Sequence, residues 1–223
     1  MEGVEATYGD RLSTGCTSLD RLLGGGFARR SVSQLYGAPG TGKTNVCLQT
    51  AVEAAESGGE AVYVDTEGLS AERLRQVGSE EAAARIRVKE VFDFDMQEQA
   101  VSDVETVAAD ADLVVLDSAT GLYRAERDDG DDTPLTRLTR QVVHLTSLAR
   151  RHDVAVVLTN QVYTEPETET YESLGGNAME HWSQAIVRLE RLDGGRRRAT
   201  LDKHPFRPTG ESAEFEITGD GVE

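Results

Sequence analysis

The chain has 223 residues, 40 of them acidic and 23 basic, for a formal net charge of −17. That length suits one α/β domain with a sizeable core, and no apolar run reaches the roughly eighteen residues of a membrane span. Two cysteines (Cys16, Cys47) and four histidines without ligand spacing (His144, His152, His181, His204) exclude a disulfide framework and a zinc site.

Residues 1–13 read as a short polar lead-in, with no signal-peptide character, and 14–223 as a single domain. The segment 14–26 predicts a short helix closed by glycines. An apolar run at 32–36 predicts a strand, and 45–52 a helix. Between them stands Gly37-Ala38-Pro39-Gly40-Thr41-Gly42-Lys43-Thr44, of the form G-x-x-x-x-G-K-[ST] in the strand–loop–helix context that form requires. Glycines let backbone N–H groups curl around a β-phosphate, and the helix N-terminus adds partial positive charge. The octapeptide therefore predicts a bound nucleoside triphosphate. Lys43 would reach the β- and γ-phosphates, and the Thr44 hydroxyl would ligate Mg²⁺.

Downstream, 60–65 predicts a buried strand, 71–77 a helix, 86–91 a strand and 96–108 a helix. Residues 113–116 are wholly apolar and end at Asp117, the Walker B form, which predicts the carboxylate on the Mg²⁺ side. An acidic turn at 128–132 precedes a long helix. There Leu135, Leu138, Val142, Leu145 and Leu148 recur every three or four residues and predict one buried face. The run 154–158 is the next buried strand, followed by a long polar segment at 163–176. Strand, helix, strand, helix implies a mostly parallel sheet flanked by helices, with ligands at the carboxyl ends of the strands. Runs at 185–190, 198–202 and 213–217, with turns at Gly194-Gly195 and Thr209-Gly210, predict a C-terminal antiparallel extension. At the expected rim Glu67 is placed to polarise water, while Asp65-Thr66-Glu67 also reads as a cap for the next helix. Thr159-Asn160-Gln161 offers an amide to a γ-phosphate, although polar strand ends are common.

Together these segments resemble the P-loop ATPase core of the RecA/RadA recombinase superfamily, over nearly the whole chain. The resemblance rests on 13–16 with 19–26, on 37–44, on Tyr63-Val64-Asp65-Thr66-Glu67, on Leu116-Asp117-Ser118, on 158–162 and on Gly175-Gly176-Asn177, in family order and spacing. It implies a RecA-like fold, with Glu67 as catalytic glutamate and Gln161 as γ-phosphate sensor leading into a second DNA-binding loop. A first such loop would start at 119–124, and Lys203 with Pro205 would cap the ATP of a neighbouring subunit.

Within that superfamily the chain is similar to the short archaeal paralogues of RadA. The 13 residues before the core hold neither a helix-hairpin-helix domain nor a Phe-x-x-Ala linker, so long autonomous filaments are not expected. No Lys or Arg occurs from 153 to 187, and Glu165, Glu167, Glu169 and Glu172 crowd the second loop. Arg124 and Arg127 in the first loop and Arg196, Arg197 and Arg198 on the late hairpin are the candidate DNA contacts, against the reading of a solvated turn. Only Lys43, Lys89 and Lys203 are lysines, and acids are spread throughout. That surface suits a high-salt cytosol, in which counterion release gives DNA affinity little help.

The leading expectation is an accessory protein of homologous recombination and DNA repair. It would bind ATP, Mg²⁺ and DNA, single strands before duplex, hydrolyse ATP weakly, exchange no strands alone and assist the main RadA-type recombinase. Two other readings stay open: a KaiC-like signalling ATPase acting on proteins, and an interaction subunit switched by ATP without turnover.

Overall fold

The computed structural model describes residues 10–123, 133–164, 171–173 and 176–223. The chain enters through β1 (Arg11–Leu12), which pairs antiparallel with β2 (Phe27–Ala28) around helix α1 (Thr17–Leu23). The Asp20 carboxylate fixes this entry by accepting hydrogen bonds from the Ser13 hydroxyl at 2.8 Å and from the Thr14 N–H and hydroxyl, both at 2.7 Å. β3 (Ser31–Gly37), α2 (Lys43–Glu56), β4 (Ala61–Asp65), α3 (Ala71–Val77), α4 (Glu80–Ala83) and β5 (Ile86–Glu90) follow. Next come α5 (Phe94–Asp103), β6 (Leu113–Asp117), α6 (Pro134–His152), β7 (Ala155–Thr164), β8 (Tyr171–Ser173) and α7 (Gly176–Trp182). β9 (Ala185–Arg191), β10 (Arg196–Lys203) and β11 (Ser212–Glu216) complete the chain.

The main sheet runs β11-β10-β9-β3-β7-β6-β4-β5, with β8 pairing off the end of β7. Its middle is parallel and buried on both faces. Alternation then sends neighbouring side chains to opposite layers. Leu113 and Val115 join the core under α1 and α2, while Val114 and Leu116 join the core under α5 and α6. Ala61 and Tyr63 against Val62 and Val64 divide the same way, as do Ala155 and Val157 against Val156 and Leu158. Leu138, Val142, Leu145 and Leu148 are the buried face of α6, as the periodicity predicts.

Four details depart from the sequence reading. Leu135 is exposed, because it lies in the first turn of α6, ahead of the stretch that packs on the core. The helix expected to reach residue 108 ends at Asp103, where the chain tightens into a 3₁₀ turn at Val104–Thr106. The polar segment 163–176 contains β8, which continues the ladder of β7 antiparallel. The antiparallel extension begins at β10, since β9 is parallel to β3. The expected acidic turn at 128–132 lies outside the described residues.

Register sets the site. Gly37 at the end of β3 faces Gln161 of β7, and Asp65 of β4 faces Asp117 of β6. Four strands thus deliver their functional ends to one rim, as open parallel sheets do at their carboxyl edge.

Candidate nucleotide site

At that rim a cavity of about 180 Å³ is lined by Pro39, Gly40, Gly42, Lys43, Thr44, Asn45, Glu67, Asp117, Ser118 and Gln161. The loop Gly37–Thr44 runs straight into α2, whose first residue is Lys43. Gly42 has φ of 103°, a left-handed backbone conformation that selects glycine.

Lys43 is buried, and its ammonium donates to the Gly37 carbonyl at 2.8 Å and the Ala38 carbonyl at 3.2 Å. Burial lowers its pKa, while the carboxylates of Asp117 and Glu67 act the other way. A buried cation on neutral carbonyls, under a glycine loop and a helix N-terminus, fits a triphosphate.

Asp117 is held at both oxygens. Tyr63 donates its hydroxyl to Oδ2 at 2.7 Å, and Thr159 donates to Oδ1. Burial raises the Asp117 pKa, and hydrogen bonds from Thr159, Tyr63 and Thr44 work against that rise. A desolvated carboxylate tied to the Thr44 hydroxyl is a donor set of the hard-oxygen kind that Mg²⁺ takes. The peptide bond between Asp117 and Ser118 is cis.

The reading of Asp65-Thr66-Glu67 as a cap for the next helix does not hold, because Ser70 caps α3, its hydroxyl accepting from the Arg73 N–H at 3.2 Å. The Asp65 carboxylate closes the turn after β4, accepting the backbone N–H of Glu67 at 3.0 Å, of Gly68 at 3.1 Å and of Leu69. Glu67 is left to the cavity. Its Oε1 accepts from the Gln161 side-chain amide at 2.9 Å and from the Ser118 hydroxyl at 2.8 Å. Alternation along β7 also sorts the polar triplet. Thr159 and Gln161 face the site, whereas Asn160 is buried on the other layer, where Thr120 donates to its Oδ1 at 2.6 Å.

The other expected contacts lie elsewhere. Arg196 and Arg198 are both ion-paired to Glu214, at 2.6 and 3.2 Å, and Arg197 donates to the carbonyl of Gly195. Lys203 pairs in register with Ile186, near the opposite end of the sheet from the loop. It donates to the Glu180 carbonyl at 2.7 Å and shares a cleft with Pro205, Arg30 and Arg150. Within one chain neither Lys203 nor Pro205 reaches the nucleotide cavity. Arg124, Arg127, Glu165, Glu167 and Glu169 fall outside the described residues.

Sequence reasoning missed Tyr63, Thr66, Ser118, Gly121 and Arg73 as members of this rim. Arg73 of α3 donates to Asn45 Oδ1 at 3.1 Å and to the carbonyls of Thr218 and Gly219, tying the last turn of the chain to the start of α2. Its place on a short, exposed helix gave no signal. Tyr63 and Ser118 did give one, since each sits two or fewer residues from an aspartate that ends a buried strand.

Residues 10–223 match the family described as Rad51. A protein of Halobacterium salinarum, described as "DNA repair and recombination protein RadB", is 51% identical over 95% of this chain and 94% of its own length. A Methanococcoides burtonii protein of the same description is 43% identical over 97% of this chain and 99% of its own. Among solved structures, one described as the RadB recombinase superposes with a TM-score of 0.84 at 39% identity, covering 95% of this chain and 98% of the other. Among the described residues no helix is long and apolar enough to cross a membrane.

Proposed function

Because the chain belongs to the Rad51 family, we propose that it is an ATP- and DNA-binding accessory protein of DNA repair and homologous recombination. The observation that carries the reading is the convergence of Lys43, Thr44, Glu67, Asp117 and Gln161 on one cavity. The archaeal relatives described as DNA repair and recombination proteins supply the setting.

Residues 14–223 act as one RecA-like ATPase core behind the lead-in 1–13. The loop N–H groups of 37–44 and the Lys43 ammonium bind the phosphates, and Thr44 and Asp117 hold Mg²⁺. The metal would supply charge neutralisation on the phosphate oxygens. Glu67 orients water and takes its proton, and Gln161, bonded to Glu67, senses the γ-phosphate. Turnover is slow, so ATP serves more to set conformation and partner affinity than to drive filament work.

DNA contact is assigned to Arg124, Arg127 and the 196–198 hairpin, with single strands preferred and affinity modest. Glu214 competes for two of the hairpin arginines, and no cation occurs between 153 and 187 to draw phosphate into the second loop. Lys203 and Pro205 meet the ATP of a neighbouring copy during limited self-association. The main RadA-type recombinase is the protein partner, in a high-salt cytosol suited to the net charge of −17.

The test measures ATP hydrolysis in molar KCl with and without single-stranded DNA, beside joint-molecule formation and electron microscopy. Slow hydrolysis, DNA retention and no joint molecules are expected. Robust joint molecules, or regular filaments formed without another recombinase, would overturn the accessory role.

A further inference from the structure

Glu67 takes one of its hydrogen bonds from the segment that follows β6, at the Ser118 hydroxyl. We propose that Ser118, with the space left by Gly121, is a positioning residue that sets where the Glu67 carboxylate stands. The proposal rests on the reading of Glu67 as the water-activating group.

Ser118 is itself fixed. It is 1% exposed, and its N–H donates to Thr66 Oγ1 at 2.8 Å. Thr66 returns two bonds, from its hydroxyl to the Ser118 carbonyl at 3.2 Å and from its N–H to the Asp117 carbonyl at 2.7 Å. This reciprocal clamp locks the ends of β4 and β6 together immediately beside Glu67. The Ser118 hydroxyl has one acceptor in the clamp's reach, Glu67 Oε1, at 2.8 Å. Gln161 donates to that same oxygen at 2.9 Å. Two donors converging on Oε1 define one carboxylate orientation, which leaves Oε2 as the oxygen to accept a proton.

Gly121 is an independent sign of the same design. A Cβ at that residue would stand 2.8 Å from Glu67 Oε1, 2.8 Å from Ser118 Oγ and 2.9 Å from Thr66 Oγ1. Its φ is outside the left-handed region, so backbone conformation does not demand glycine. Space does. Any side chain at 121 enters the triangle formed by Thr66, Ser118 and Glu67, and the group with most freedom to move away is the glutamate.

A catalytic carboxylate displaced by about 1 Å loses on the order of 100-fold in rate, while a P-loop that is untouched keeps its nucleotide. The experiment therefore compares Ser118→Ala, Ser118→Thr, Gly121→Ala and Glu67→Gln in the full chain. It reads single-turnover ATP hydrolysis, ATP affinity by calorimetry and nucleotide-free crystal structures. Ser118→Ala is expected to slow hydrolysis roughly 10- to 100-fold with affinity unchanged within about twofold, and Ser118→Thr, which keeps the hydroxyl, to recover most of the rate. In crystals of Gly121→Ala the Gln161–Glu67 hydrogen bond should be lost. Wild-type turnover in Ser118→Ala, beside a Glu67→Gln variant that is impaired, would overturn the proposal and leave the glutamate reading intact. Equal losses of rate and affinity in Ser118→Ala would also overturn it, by showing a structural role. If Ser118→Ala fails to fold, Gly121→Ala decides by the same readings. If Glu67→Gln hydrolyses ATP like wild type, the glutamate reading itself falls, and the role of Ser118 with it.

Discussion

The phosphate loop and the arginine hairpin stand at the same end of the sheet, since Arg197 pairs with Arg191 and Arg191 lines the hollow beside Pro39. They are held in opposite ways. Around the loop, Lys43 and Asp117 are buried, and strand register decides which atoms they meet. On the hairpin, the side chains of Arg196 and Arg198 are 50% and 43% exposed and share one carboxylate, Glu214. A pair in that setting is worth roughly 0–1 kcal/mol, little enough for a phosphate to displace it. Position in the first region is a property of the fold, and in the second a property of the solvent.

Lys43→Ala puts most strain on this contrast. Deleting a buried cation from the loop should lower ATP affinity by at least about 100-fold, the scale of a charge-assisted contact in a desolvated site. Calorimetry showing unchanged affinity would dissolve the distinction. Glu67→Gln should come next, cutting turnover by about 100-fold with binding preserved. Tyr63→Phe removes one of the hydroxyls on Asp117, and because that carboxylate is buried the loss should reach stability, by about 1–3 kcal/mol in urea unfolding. A change within error would mean that Thr159 and Thr44 suffice. The smallest effect belongs to the hairpin. Glu214→Gln should free Arg196 and Arg198 and raise single-stranded DNA affinity about two- to fivefold at low salt, leaving ATP affinity alone. If DNA binding is indifferent to Glu214, the hairpin is not where phosphate docks.

The sequence made the first region legible because its chemistry is local. A glycine loop followed by lysine and threonine, and apolar strands ending at Asp65 and Asp117, announce themselves within a few residues. The buried face of α6 was legible for the same reason, apart from Leu135 in its first turn. What stayed hidden depends on distance along the chain. Arg73 meets carbonyls of Thr218 and Gly219 at the far end of the sequence. Glu214 is recognisable as a partner of Arg196 and Arg198 only once β10 and β11 are in register. The split between Asp65, which closes the turn, and Glu67, which faces the cavity, depended on which carboxylate the backbone curled around.

The facing of Gly37 with Gln161, and of Asp65 with Asp117, has a consequence for how the chain can change in length. Side chains alternate along each strand, so deleting or inserting one residue within β4, β6 or β7 would swap the layer that every following side chain enters. In β7 an insertion would bring Asn160, and a deletion Val162, to where Gln161 stands now, and the glutamate would lose the Gln161 amide. Substitutions along these strands can be absorbed one at a time; a change of count cannot. At Gly194 and Gly195, by contrast, nothing would lie within 4 Å of an added Cβ. Length variation is therefore expected to collect at turns of this kind and not within the strands that build the rim.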